Sequence, residues 1–254
     1  MSLTGMSGNG RIRLFNDFLG PEIPIGNAVA YGTTAGGCHS FIGDFKLTGS
    51  IHDTDSGIVS VGKANGYARL LSSATADGDG LALGTEVSLS PALNGVLVLE
   101  TRVEMAALTA RNVFIGFATA NADEAKEPVT AATTTITKVV PCVGFLFDSQ
   151  LTTSGTNWFM PYILASDTTQ TSTDVVSSQT AVAAESDVLR IEVDKDGGAR
   201  WYINGKLEQT VGAGLAATPA TLQAALVGVW STTTTVGSLD IDFIEVTANR
   251  DWTR

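Results

Sequence analysis

The chain has 254 residues, 44% of them hydrophobic and 16% charged, with a formal net charge of −11 at pH 7. That apolar content excludes an intrinsically disordered chain, and the acidic balance argues against nucleic-acid binding, which draws affinity from Lys and Arg neutralising phosphates. No apolar run is long enough to span a membrane as a helix, while sandwiches of about 200–250 residues often form one domain.

Residues 1–10, from Met1 to Gly10, lack a charged segment followed by an apolar core. They read as a short flexible arm rather than a secretory signal. Arg11 to Phe18 is the first strand candidate, stopped by Gly20-Pro21 and Pro24. Gly26 to Gly43 is rich in Gly and small residues and reads as loop with short extended pieces. Phe45 to Ile51, Ile58 to Val61 and Tyr67 to Leu71 read as short strands. Ala76-Asp77-Gly78-Asp79-Gly80 is a turn, after which Leu81, Leu83, Val87 and Leu89 resume an extended pattern.

Val96 to Met105 is the clearest single strand. Leu97, Leu99, Thr101, Val103 and Met105 share one face, and Val98, Glu100, Arg102 and Glu104 the other, which predicts one buried and one solvated side. Asn112 to Ala118 is more continuously apolar. Residues 121–138 open acidic with Asp123, Glu124 and Glu127, turn Ala/Thr-rich, and read as a long excursion with one helical turn near 123–126. Val143 to Phe147 pairs with Trp158 to Leu164 across a turn. Residues 166–186 are Thr/Ser-rich and read as a second long loop or an exposed edge hairpin.

Val188 to Val211 carries the strongest signal. Leu189, Ile191 and Val193 alternate with Arg190, Glu192 and Asp194. Asp196-Gly197 and Asn204-Gly205 then punctuate the run, and period-two alternation broken by such dipeptides marks hairpins. Trp201 alternates with Ile203 and is expected inward, with Tyr202 outward. Leu222 to Trp230 and Leu239 to Val246 complete about a dozen strands spaced by roughly ten residues, the pattern of an all-β sandwich or jelly roll. The absence of alternating helices excludes a parallel sheet with crossovers. The predicted organisation is one domain over 11–254 behind the arm.

Residues of the C-terminal half carry a resemblance. Val143-Gly-Phe-Leu-Phe-Asp, Asn157-Trp-Phe-Met-Pro-Tyr, Leu189 through Lys206, Leu239-Asp-Ile-Asp-Phe-Ile-Glu-Val and Arg250-Asp-Trp resemble, in that order, the concanavalin A-like (laminin-G-like) jelly roll. Leu14-Phe-Asn-Asp-Phe-Leu-Gly is similar to its first strand. The set looks most like virion structural proteins of tailed bacteriophages, including capsid decoration (cement) subunits and appendages. The resemblance implies a sandwich of two antiparallel sheets, no enzymatic activity and no cofactor. It implies major capsid protein or other virion proteins as partners, a homotrimer by analogy with three-fold sites on shells, and location in the virion after synthesis in host cytoplasm. The alternative is an appendage or adhesin that binds host glycans.

Asp240-Ile241-Asp242-Phe243-Ile244-Glu245 is similar to the Glu-x-Asp-x-x-Glu strand of retaining β-glucanases, whose paired carboxyls act as nucleophile and acid/base about 5–5.5 Å apart. Carried over, Asp240 would be nucleophile, Asp242 helper and Glu245 acid/base. The first position is Asp rather than Glu, and the motif sits near the chain end. The plainer reading is a last strand alternating apolar residues with exposed carboxylates. Asp53-Thr-Asp55-Ser-Gly57 and Asp77-Gly-Asp79-Gly80 offer oxygen ligands for calcium but match no full calcium loop, and ordinary turns explain both. Cys38-His39 is not a nucleophile–base pair, since adjacent residues on an extended chain point apart and no third orienting group is evident; His39 and His52 read as solvated or core-satisfied histidines. Cys38 and Cys142 read as buried free thiols. Trp158, Trp201, Trp230 and Trp252 read as core anchors rather than a sugar platform. Pairing of first and last strands would gather Arg11, Arg13, Arg250, Trp252 and Arg254 into a basic, aromatic patch, the expected partner contact.

Overall fold

The computed structural model describes residues 10–19, 40–49, 56–72, 78–120, 127–162 and 169–250. In chain order, β1 (Arg11–Asn16), β2 (Ser40–Ile42), β3 (Phe45–Gly49), β4 (Gly57–Val61), β5 (Tyr67–Leu71) and β6 (Gly80–Gly84) come first. One helical turn, α1 (Pro91–Asn94), precedes β7 (Leu97–Glu104), β8 (Arg111–Ala118), β9 (Val129–Ala132), β10 (Thr135–Lys138), β11 (Cys142–Asp148) and β12 (Asn157–Phe159). β13 (Thr169–Thr171), β14 (Val176–Thr180), β15 (Ser186–Val193), β16 (Ala199–Ile203), β17 (Lys206–Val211), β18 (Ala224–Ser231) and β19 (Ser238–Asn249) follow.

Two antiparallel sheets stack face to face. The first runs β17-β16-β15-β7-β19-β5-β4, with β1 also on β19. β5 and β1 share one side of this long last strand: β5 pairs with Ser238 to Ile241, and β1 with Ile244 to Asn249. The second runs β14-β12-β11-β8-β18-β6-β3-β2. Alternation decides the burial. Leu97, Leu99, Thr101 and Val103 on β7 are buried while Val98, Glu100, Arg102 and Glu104 are half-buried. Between the sheets, Leu189, Ile191, Trp201, Ile241 and Ile244 from the first meet Val113, Ile115, Phe117, Phe145, Val227 and Val229 from the second. Trp201 is fully buried and Tyr202 half-exposed, as their alternation predicts. The buried indoles are hydrogen-bonded: Trp158 Nε1 donates to Asp187 Oδ2 at 2.9 Å and Trp201 Nε1 to Gly144 O at 2.8 Å.

The long-loop expectation for 121–138 is corrected over 129–138, where β9 and β10 pair as a hairpin and β13 adds a third strand. Val129, Ala131 and Ile136 are buried against Phe114, Leu146, Leu226 and Trp230 on the outer side of the second sheet, forming a separate hydrophobic cluster. The Ala/Thr composition conceals this short amphipathic pair, whose β-branched threonines suit a pleated surface. Residues 169–180 form neither the expected loop nor a hairpin, since β13 joins the small sheet and β14 the edge of the large one. The expected helical turn near 123–126 lies outside the described residues.

Glycine makes the third layer possible. A Cβ on Gly228 would meet the Trp230 indole and lie 2.8 Å from Ala82 Cβ, and one on Gly144 would lie 2.9 Å from Phe114 Cζ. The bare backbone therefore lets both rings lie on the sheet. At one flank of the sandwich, Glu208 clamps the two edge strands β14 and β17. It accepts hydrogen bonds from Ser178 N at 2.8 Å and Ser178 Oγ at 3.0 Å, and pairs with Lys206 at 2.8 Å.

Candidate functional site

β19 carries the three acids of the glucanase-like spacing, and a bulge between Ile241 and Phe243 sets their direction. A bulge inserts one residue and rephases the alternation. Ile241 and Ile244 are both buried in the main core, so Asp240, Asp242 and Glu245 all fall on the outer side of the first sheet.

Each acid has its own cations. Asp240 is 1% exposed and takes Arg69 in a two-pronged bond, Nε to Oδ1 at 2.5 Å and Nη2 to Oδ2 at 2.8 Å. Lys63 Nζ adds a bond of 2.7 Å to Asp240 and one of 2.6 Å to Glu104. Asp242 pairs with Arg102 at 3.0 Å, and Glu245 with Arg13 at 2.6 Å. The expected exposed carboxylates are therefore corrected for Asp240 and Asp242, which are buried at 1% and 7% exposure. Burial would push the Asp240 carboxyl up, but Arg69 and Lys63 outweigh it and hold the group below its ordinary value. The lowered value keeps Asp240 ionised, as a nucleophile must be, but its two cations already occupy both oxygens.

The mesh continues across the same face. Arg190 bridges Glu100 at 2.9 Å and Glu192 at 2.6 Å; Arg200 reaches Glu192 at 3.0 Å and holds Asp194 through two bonds of 2.8 and 2.9 Å. Burial opposes ionisation of Glu192, yet the two arginines keep its pKa lowered. A shallow depression of about 250 Å³ sits here, lined by Glu100, Val188, Arg190, Tyr202 and Gly205.

The chain ends meet as predicted for β1 and β19. Arg11 lies opposite Asn249, Arg13 opposite Thr247, and Arg250 N donates to Gly10 O at 2.8 Å. Arg11 and Arg250 are exposed there. Arg13 is already engaged by Glu245, and its guanidinium lies 5.3 Å from the centre of the Phe15 ring, which stacks on Phe243. Trp252 and Arg254 lie outside the described residues, as do Cys38, His39, His52, Asp53, Asp55 and Asp77. Cys142 is buried, and burial pushes its thiol up to about 12, so it stays protonated and unreactive. Among the described residues, no group of three or more His, Cys, Asp or Glu side chains is arranged to hold a metal ion. Sequence reasoning missed Lys63 and Arg69, whose only signal is that Arg69 alternates outward from Ala68 and Leu70 on β5.

No family model matches the chain, and no curated protein matches it in sequence. Solved structures do. A protein of unknown function from Shewanella oneidensis MR-1 matches with a TM-score of 0.59 at 16% identity, over 99% of this chain and 92% of that one. The carbohydrate recognition domain of Emp46p gives 0.53 at 8% identity, over 80% and 87%. An endo-1,3-β-glucanase from Streptomyces sioyaensis gives 0.50 at 13% identity, over 95% and 98%. These likenesses define the class by fold: an all-β sandwich of two antiparallel sheets, concanavalin A-like. Lectin-type and hydrolytic neighbours share that frame, and a frame does not fix function.

Proposed function

We propose that this chain is a non-enzymatic structural subunit of a tailed-phage virion, a capsid decoration (cement) protein that stabilises the head shell. The observation that carries the non-enzymatic part is the pairing of Asp240, Asp242 and Glu245 with Lys63, Arg69, Arg102 and Arg13. Carboxylates so neutralised serve to stiffen a face, and catalysis would require one to shed its cations. The outer side of the other sheet is filled by the chain's own third layer.

The virion role rests on the resemblance of the C-terminal half. Its mechanism is mechanical: a stiff slab grips junctions between major capsid subunits through loops and the chain-end patch, and many equivalent contacts raise avidity. Among the described residues, Arg11, Arg13 and Arg250 are exposed at that patch, with Arg13 already paired to Glu245. A homotrimer, assembled in the host cytoplasm and carried on the particle, completes the proposal. Mass spectrometry of purified virions tests it: the chain is expected at fixed stoichiometry to the major capsid protein. Absence from particles, together with glycan-array binding, would favour the adhesin reading supported by the likeness to the Emp46p domain.

A further inference from the structure

Three Asn–Gly pairs fall among the described residues, at 65–66, 94–95 and 204–205. Asn followed by Gly is the pair most open to spontaneous deamidation, because glycine has no side chain to shield its backbone nitrogen. That nitrogen attacks the Asn side-chain carbonyl carbon.

The three differ in how the amide is held. Asn94 is buried; its Oδ1 accepts from Ser90 N at 2.8 Å and its Nδ2 donates to Asn249 O at 2.9 Å. Asn204 is exposed but tied at both ends, Oδ1 accepting from Val188 N at 2.9 Å and Nδ2 donating to Asp187 Oδ1 at 2.9 Å. Asn65 is exposed in the β4–β5 turn, with φ at 76°, and no hydrogen bond holds its side chain among the described residues. The attacking nitrogen of Gly66 is loosely held, donating to Lys63 O at 3.3 Å, a long bond for this type.

We infer that Asn65 is a spontaneous modification site, converting to aspartyl and isoaspartyl forms while Asn94 and Asn204 remain amides. The balance is simple. A bond forms between Gly66 N and Asn65 Cγ, the Cγ–Nδ2 bond breaks, and ammonia leaves with the proton from the backbone nitrogen. Water then opens the succinimide on either side. The product bears a new carboxylate two residues from Lys63, where it competes with Asp240 and Glu104 for the ammonium. The isoaspartyl form also lengthens the backbone where the turn presses on the segment after β1: a Cβ on Gly66 would lie 3.0 Å from both Phe18 O and Leu19 Cδ2.

The test is incubation of the folded full chain at mildly alkaline pH, followed by peptide mapping with fragmentation that separates aspartyl from isoaspartyl products. The expected result is the mass gain of amide-to-acid conversion at Asn65, its loss in Asn65→Gln, and no gain at Asn94 or Asn204. In Asp187→Ala, which frees the Asn204 amide nitrogen, gain at Asn204 is expected to appear. Equal or faster conversion at Asn204 or Asn94 in the unaltered chain would overturn the assignment. So would an unchanged Asn65 in folded protein whose urea-unfolded control converts there.

Discussion

Replacing Asp240 by Asn separates a structural carboxylate from a catalytic one. The side chain keeps its size and loses its charge, leaving Arg69 and Lys63 facing a neutral amide. Removing one partner of a buried ion pair costs about 3–5 kcal/mol. Arg69 and Lys63 retain 31% and 30% of their side-chain exposure, so both recover water, and Lys63 keeps Glu104 at 2.6 Å. The cost should therefore fall to about 2–3 kcal/mol. At about 2–4 °C per kcal/mol for a domain near this size, the melting temperature should drop by about 5–10 °C. Differential scanning calorimetry at neutral pH reads this directly. The folded-state pKa of Asp240 is lowered from 3.8, so its stabilisation is complete above that value and fades as pH falls below it. The gap between wild type and variant should hold at neutral pH and close in acid. An unchanged melting temperature would refute the structural role. A raised one would mean that the carboxylate is kept at a cost to stability, as functional groups are.

Further expectations concern the other face and the thiol. Gly228→Ala drives a Cβ into Trp230 and Ala82 and should cost about 1–3 kcal/mol in denaturant unfolding; a neutral result would mean that the indole does not rest on that backbone. Ile136→Ala removes the buried hub of the small sheet, at about 2–5 kcal/mol if the layers unfold together; hydrogen exchange should quicken first over 129–138 while β8 and β18 stay protected. Cys142 should resist iodoacetamide at pH 8 in the native protein and react in guanidinium, and native labelling at that residue would contradict its burial.

The strands were legible wherever a polar and an apolar face alternate. β7, β15 and β16 follow period two because one side meets the core and the other the charged mesh. That rule also oriented Trp201 and Tyr202. It could not say that outward-facing Asp240 would be 1% exposed, because the covering cations come from β5 and the β4–β5 turn, far away in sequence. The same distance hid Arg13 from Glu245. The bulge at Asp242 was present in the acid spacing, since the extra residue between Asp242 and Glu245 keeps both on one face. The third layer stayed hidden because Val129, Ala131 and Ile136 are few and small, and their partners on β8, β11 and β18 lie on strands whose two faces are both apolar. Such strands read as a continuous hydrophobic run and conceal a second core.

The antiparallel register that sets Arg11 against Asn249 also governs how the slab answers force. Tension applied through the outer ends of β1 and β19 acts across their ladder and breaks its rungs singly, as a zipper opens, rather than shearing them all at once. A load carried through the flanks of the slab instead leaves both strand ends slack and this ladder intact.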